Sequence, residues 1–155
     1  MVQLVDVTIA DSVVAHADDD TTPPFKNVRI PNCPRQSVRV RSKLLNLMIG
    51  LNYSWPAVCA MQIAITEALN NAMKHGNGND PTKSILVSHQ IDSQFAWVAI
   101  EDEGLGFDAT LHIADIQFDV ASGCARHGLA LIHRCCDEFG ITPPGNRIEL
   151  LKHNT

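Results

Sequence analysis

Hydrophobic residues recur at intervals of three and four along two stretches in the first half of the chain. In residues 35–51 the apolar positions are Val38, Val40, Leu44, Leu45, Leu47 and Met48. From Ser54 to about His75 a second set falls within one arc of a helix: Val58, Met61, Ile65, Ala68, Leu69 and Ala72. Both patterns predict amphipathic helices. Pro34 is placed to open the first helix and Gly50 to stop it, and Ser54 is placed to cap the second.

Alternating patterns predict three strands around and after these helices. Residues 25–31 alternate between prolines, which is typical of an edge strand. Residues 83–91 and 94–102 predict an antiparallel hairpin with a tight turn. In its second strand Ala96, Val98, Ile100 and Asp102 share one face, while Phe95, Trp97 and Ala99 share the other. If the small aliphatic face meets the helices, Asp102 lies at the floor of a pocket.

The second half of the chain predicts a loop, a helix and a strand. Residues 110–123 lack periodicity, and a loop of this length is often a lid. Residues 128–139 resume a helical pattern, and residues 145–152 read as a strand. This order of elements predicts an α+β fold: a two-layer sandwich of a mixed, mainly antiparallel sheet with helices on one face.

The first 24 residues lack the regular hydrophobic patterns of most of the rest of the chain. Residues 3–9 alternate loosely enough to form a short strand, although a frayed terminus explains them equally well. Residues 10–24 contain an acidic run that ends in paired prolines, which is typical of a linker. We therefore expect residues 1–24 to be an N-terminal segment and residues 25–155 to be a single domain.

The outer face of the predicted hairpin carries two aromatic residues, Phe95 and Trp97. An apolar sheet face without a helix is either covered by the chain's own N-terminal segment or forms a dimer or partner surface. We favour a cover by the chain itself.

Composition narrows the classes of function. The 155 residues are 45% hydrophobic, and the net charge of −5 has the wrong sign for a protein that binds nucleic acid. No apolar run is long enough to cross a bilayer, and the first residues lack a secretory signal, so we expect a cytoplasmic protein whose five cysteines are thiols. A basic cluster is read as a solvated helix face, with a protein-contact surface as the alternative: Arg35, Arg39, Arg41 and Lys43.

Three polar residues, Glu67, Asn71 and His75, are spaced one turn apart on the second helix. Such groups are costly to bury without partners, so the stripe must face water, a ligand or a metal ion. Ala60 and Ala64 precede them on the same side. These small side chains leave room for either a ligand or a neighbouring helix.

A second polar motif, EDEGLGFD, follows the predicted hairpin and contains Asp102, Gly104 and Gly106. The glycines allow a flat base to approach the backbone, and Asp102 offers an acceptor for an exocyclic amine. On the helix, Asn71 offers an oxygen ligand for a hard cation, and Glu67 is placed to deprotonate a hydroxyl near a phosphate. The two motifs together predict a nucleotide site.

In combination and in order, these motifs resemble the Bergerat-fold ATPases of the GHKL group over roughly residues 34–152. The first box of that group, ExxxN, is matched by Glu67 and Asn71. The resemblance implies that Asn71 binds magnesium, that Glu67 is the catalytic base, and that Lys74 and His75 lie near the phosphates.

The second and third boxes extend the resemblance. The second box, DxGxG, is matched by Asp102, Gly104 and Gly106, and the resemblance implies that the aspartate binds the adenine amino group. The third box, GxGL, places helix N-terminal amides around phosphates. Its letters here are Arg126, His127, Gly128 and Leu129. Arg126 thus replaces the first glycine, and it either contacts the γ-phosphate or is an ordinary surface residue, while Gly123 is placed to compensate.

Within the GHKL group the chain is most similar to the anti-sigma serine kinases of partner-switching systems. This resemblance implies binding of ATP and Mg²⁺, phosphorylation of a serine on a small antagonist (anti-anti-sigma) protein, binding of a sigma factor in another state, and it leaves a homodimer open. The alternative is a regulatory protein that responds to nucleotide without catalysis. Arg126 favours that alternative, as does Glu149, which stands where the group often has a threonine near adenine.

Cysteine and histidine near the third box raise a separate hypothesis of a zinc site. The candidates are Cys124, His127, His133, Cys135 and Cys136. Their spacing does not match the paired CxxC arrangement of structural zinc sites, so we expect buried thiols and no zinc.

Overall fold

A computed structural model of the chain describes residues 25–106 and 128–155. Three expectations lie outside the described residues: the strand at residues 3–9, the linker at residues 10–24 and the lid at residues 110–123. The division between a segment 1–24 and a domain 25–155 stays a prediction.

The described residues form three α-helices and five strands. In chain order they are β1 (Lys26–Pro31), α1 (Pro34–Gly50), α2 (Trp55–Asn71), a π-helical turn (Ala72–Gly76), β2 (Ser84–Ile91), β3 (Phe95–Glu101), α3 (Gly128–Cys135), β4 (Glu138–Thr142) and β5 (Arg147–His153). The strands form one sheet in the order β1-β2-β3-β5-β4, and each neighbouring pair is antiparallel. The helices share one core with a single face of this sheet. The predicted α+β fold is confirmed.

The two long helices begin and end close to the predicted positions. The Ser54 hydroxyl accepts a hydrogen bond from the Ala57 N–H at 3.4 Å and caps α2. All six residues of the predicted α2 arc are buried. In α1 the prediction was less exact: Val38 is 49% and Leu47 42% exposed, because the buried row is formed by Ser37, Val40, Leu44 and Met48.

At the C-terminal ends of α1 and α2, the helix is not ended simply by a glycine. Gly50 is the last residue of α1, but the positive φ of 59° that turns the chain belongs to Asn52. Beyond Asn71, α2 widens into the π-helical turn, and the Asn77 N–H donates to the Ala72 carbonyl at 2.8 Å. The helical segment therefore reaches His75 as predicted, with a wider last turn.

The predicted helix at residues 128–139 is wrong in its last part. α3 ends at Cys135, and Glu138–Thr142 forms β4, which pairs with β5. Phe139 and Ile141 pack against the core, and alternation on a strand satisfies them better than a helix would. The Asp137 carboxylate, between α3 and β4, accepts hydrogen bonds from Lys152 Nζ at 2.8 Å and from the His153 N–H at 2.7 Å.

The predicted alternation in β3 is confirmed. Ala96, Val98 and Ile100 belong to the core beneath the helices, whereas a second cluster on the opposite face contains Phe95, Trp97, Ala99 and Leu151. Glu149 pairs with Ala99 across β3 and β5, and Trp97 Nε1 lies 3.4 Å from its carboxylate. Glu149 is therefore on the face away from the helices, which removes the sequence argument that linked it to adenine.

Candidate functional site

The polar stripe of α2 meets the start of α3. A Cβ atom at Gly128 would lie 2.8 Å from Glu67 Oε2 and within 3.6 Å of both side-chain amide atoms of Asn71. Ala64, on the same side of α2, is fully buried. The room left by the small residues is thus occupied, in part, by a neighbouring helix. Gly128, the first described residue of α3, therefore lies beside the first box, and N–H groups at the start of a helix favour anions.

Asp102 is held at the end of β3 by its backbone. Its N–H donates to the Asn146 carbonyl at 2.9 Å, and Asn146 Nδ2 donates to the Asp102 carbonyl at 3.0 Å. Its side-chain Oδ1 accepts a hydrogen bond from the Gly104 N–H at 2.7 Å. The other oxygen, Oδ2, accepts no hydrogen bond from residues 25–106 or 128–155. Asp102 therefore presents one oriented but unused acceptor.

Glycines allow the two boxes to touch. A Cβ atom at Gly76 would lie 2.0 Å from Asp102 Cγ, and one at Gly104 would lie 2.4 Å from the Gly76 carbonyl oxygen. Gly106 has a φ of +80°, as expected, and a Cβ atom there would lie 2.1 Å from the Pro144 carbonyl oxygen. No side chain fits at these positions, so the turn after α2 and the DxGxG loop form one continuous surface of backbone.

Asn77 joins the elements of the site, and sequence reasoning missed it. Its side chain is 1% exposed, and its Oδ1 accepts the Glu103 N–H at 2.9 Å. Its Nδ2 donates to the Ser84 carbonyl at 2.9 Å and lies 3.3 Å from Asn32 Oδ1. The only sequence signal is an asparagine between two glycines, which is ordinary for an exposed turn.

Lys74 and His75 are both exposed. Lys74 lines a cavity of about 460 Å³ together with Asn32, Pro34, Asn70, Met73 and Asn79, a lining that includes neither Asn71 nor Asp102. The structure therefore brings Glu67, Asn71 and Gly128 together, and the nearness of Lys74 and His75 to phosphates stays a prediction.

The electrostatic setting of Asp102 favours a hydrogen-bond donor. Burial raises the pKa of this carboxyl above its ordinary value of 3.8, and the hydrogen bond from the Gly104 N–H opposes part of that rise. A partly desolvated carboxylate gains more from a donor than a fully hydrated one does.

The remaining candidates fall partly outside the described residues. Arg126, His127, Gly123 and Cys124 lie there, while Leu129 is half-buried at the edge of the core. No group of three or more potential metal ligands occurs within residues 25–106 and 128–155. Burial raises the pKa of the Cys136 thiol to about 12. This thiol is therefore protonated at neutral pH, as expected for a buried cysteine.

Comparison with known proteins decides the family. The model of the histidine kinase-like ATPase domain matches residues 30–152, which include every element from the end of β1 to β5. The chain belongs to the histidine kinase-like ATPase domain family. The predicted membership of the GHKL group is confirmed, and the two boxes described above fall inside the matched region.

The chain is also similar to two known proteins. The anti-sigma F factor of Anoxybacillus flavithermus is 27% identical over 100 residues, which cover 61% of this chain and 68% of that protein. A crystal structure of the RsbU and RsbW domains of Rv1364c from Mycobacterium tuberculosis superposes with a TM-score of 0.56 at 15% identity, over 85% of this chain. The chain matches only 32% of that longer protein, and the likeness shows a shared fold.

Within residues 25–106 and 128–155, no helix combines the length and the apolar character that crossing a bilayer requires.

Proposed function

We propose that this protein binds ATP with Mg²⁺ and transfers the γ-phosphoryl group to a serine of a small antagonist protein, as an anti-sigma factor of a partner-switching pathway. One observation carries the proposal: the helical segment that bears Glu67 and Asn71 touches the N-terminus of α3 at one point and Asp102 at another. A single continuous segment therefore supplies groups suited to both ends of a nucleotide.

The residues present fit adenine and magnesium. Asp102 Oδ2 accepts no hydrogen bond from the described residues and is partly desolvated, which suits the exocyclic amine of adenine. Beside it, the backbone of Gly76 and Gly104 offers a surface without side chains for a flat base. Asn71 offers a neutral carboxamide oxygen next to a helix N-terminus, a donor set that suits a hard cation and its phosphates. Mg²⁺ bound there would neutralise charge on the phosphates.

Glu67 is the residue that we assign to proton transfer. Its carboxylate is half-buried and lies beside Gly128, where phosphates would meet the helix start. In the proposed step the serine oxygen forms a bond to the γ-phosphorus, and the bond from that phosphorus to the bridging oxygen of ADP breaks. The hydroxyl proton passes to Glu67, and ADP keeps the electron pair.

The choice of partner rests on the comparisons. The relative from Anoxybacillus flavithermus is described as an anti-sigma F factor, and its similarity extends over 61% of this chain. We extend that role to this protein: a sigma factor and an anti-anti-sigma protein are its two alternative partners. A homodimer stays a prediction from the resemblance.

The proposal is tested by incubating the full chain with γ-labelled ATP, Mg²⁺ and the antagonist protein encoded nearest to it. We expect label on a serine of the antagonist. Glu67→Gln should retain ATP binding and lose transfer, whereas the control Glu138→Gln, at an exposed position on β4, should behave as wild type. Transfer at the wild-type rate by Glu67→Gln would remove the base assignment. ATP binding without any transfer by the wild type would establish the regulatory, non-catalytic alternative.

A further inference from the structure

The sheet face opposite the helices is buried within a single chain. Trp97 and Gln90 are 2% exposed, Glu149 is 1% exposed, and the cluster on this face contains only sheet residues. Among the described residues, the three helices all pack on the other face. Over the Trp97 ring the described contacts are the Phe25 ring, edge-on with centroids 5.2 Å apart, and the Arg147 guanidinium at 5.8 Å. These two contacts do not by themselves account for the burial of Trp97, Gln90 and Glu149.

The described residue that follows the N-terminal segment lies on this face. Phe25 is the first described residue, and its ring lies on Trp97, so residues 1–24 continue from the outer face itself. Residues 107–127 are placed differently: they join Gly106, beside Pro144, to Gly128, which contacts Glu67 in the helix layer. Of the two undescribed segments, the N-terminal one is attached at the face that needs a cover.

The composition of residues 1–24 divides them into a cover and a tether. Residues 2–9, VQLVDVTI, hold five aliphatic side chains and one charge, which suits contact with Phe95, Trp97 and Leu151. Residues 10–24 contain three consecutive aspartates and two prolines, which do not suit an apolar face. A tether of that length spans roughly 50 Å when extended, enough to reach back across a five-stranded sheet from Phe25.

We propose that residues 2–9 pack on the outer sheet face formed by Phe95, Trp97, Ala99 and Leu151, and that residues 10–24 tether them. Gln90 is 2% exposed on this face, and its Oε1 accepts no hydrogen bond from the described residues, so an aliphatic cover would break no hydrogen bond there. The segment therefore competes with any second copy or partner protein for this face, which lies on the side of the sheet away from Glu67 and Asn71.

The test uses Trp97 as its own reporter in the full-length chain. The protein has two tryptophans, and replacing the 69% exposed Trp55 by phenylalanine leaves Trp97 as the only one. In that background, Leu4→Asp with Val7→Asp should redden the emission of Trp97 and raise its acrylamide quenching severalfold. The matched control, Ser12→Asp with Val14→Asp in the tether, should leave both unchanged. Equal quenching in the parent and the Leu4/Val7 variant would overturn the proposal.

Two further readouts keep the result unambiguous. If the Leu4/Val7 variant fails to fold, it loses its far-UV circular dichroism. In that case, hydrogen exchange of the unmodified chain shows whether residues 2–9 pack on the sheet. Slow exchange of the amides of residues 2–9 supports the cover, and exchange at the rate of a free peptide overturns it. The rise in melting temperature with Mg-ATP should be the same in the Leu4/Val7 variant and its parent, because the two faces are separate. Loss of that rise in both proteins would count against nucleotide binding and leave the cover intact.

Discussion

The backbone of Gly76 lies directly against the carboxylate of Asp102: a Cβ atom at residue 76 would be 2.0 Å from Asp102 Cγ and 2.1 Å from Oδ2. This contact joins the end of the helical segment that carries Glu67 and Asn71 to the loop after β3. Residues from two distant motifs thereby share one surface. The contact also makes Gly76 a residue that sets the position of Asp102, the residue that we propose binds adenine.

Gly76→Ala should displace Asp102 and weaken ATP binding. The added methyl group has no space, so we also expect a loss of about 1–3 kcal/mol in the free energy of unfolding. Gly50→Ala is the matched control, because a Cβ atom at this helical glycine would meet nothing within 4 Å. Isothermal titration with ATP and denaturant unfolding measure the two effects. An ATP affinity equal to that of Gly50→Ala would show that Asp102 does not contact the base.

Asp102→Asn should stabilise the protein without nucleotide and abolish its response to ATP. Burial raises the pKa of Asp102 above 3.8 in the folded state, so the folded protein holds this proton more tightly than the unfolded chain does. The contribution of Asp102 to stability is therefore complete below pH 3.8 and is lost as the pH rises through the raised pKa. At neutral pH the ionised carboxylate opposes folding, and an uncharged amide removes that cost.

Thermal unfolding at several pH values checks this prediction. Without ATP, the melting temperature of Asp102→Asn should exceed that of the wild type at pH 7, and the difference should shrink as the pH approaches 4. A lower melting temperature at pH 7 would mean that the hydrogen bond from Gly104 outweighs the cost of burial.

Gly128→Ala should affect phosphoryl transfer more than stability. The new methyl group would lie 2.8 Å from Glu67 Oε2, which is the free end of a flexible side chain and can move aside. We expect a stability change within about 1 kcal/mol, because only this terminal atom has to shift. The displaced carboxylate should lower kcat with little change in KM for ATP. Unchanged kcat would contradict the role of Glu67 as the base.

Asn77→Ala should be the most destabilising substitution near the site. It leaves the partly buried Glu103 N–H and Ser84 carbonyl without their partner, and an orphaned group costs up to about 1–3 kcal/mol when water does not reach it. Asn46→Ala, on the exposed side of α1, is the control and should be neutral or slightly stabilising. Urea unfolding measures both. Equal midpoints for the two variants would show that water replaces Asn77 without cost.

Periodicity correctly predicted the helices and strands whose apolar residues keep one regular spacing along the whole element. The α2 arc and the alternation in β3 are long, regular patterns, and burial in the structure follows them. β4 was missed because Cys136 and Phe139 fit helical spacing as well as Phe139 and Ile141 fit strand alternation. Only the pairing of this segment with β5, a contact with another part of the chain, distinguishes a strand from a helix here. A short apolar run carries no such information by itself.

The residues of the candidate site likewise divide into those that the sequence reveals and those that only the structure reveals. Glu67, Asn71 and Asp102 stand out from the sequence because polar residues are unexpected on otherwise buried elements. Asn77 does not stand out, since its importance comes from three hydrogen bonds to residues of other elements. Glu149 was misread because its face of β5 is set by register with Ala99, and a shift of one residue reverses the face.

The central claim is that Mg-ATP binds where Asp102, Asn71 and Gly128 converge, and thermal unfolding with and without Mg-ATP tests it most directly. A ligand that binds only the folded state adds about 2.7 kcal/mol of stability at a concentration roughly 100-fold above its Kd. We predict a rise in melting temperature for the wild type that increases with ATP concentration, and no rise for Asp102→Asn. An unchanged melting temperature of the wild type at millimolar Mg-ATP would contradict the account.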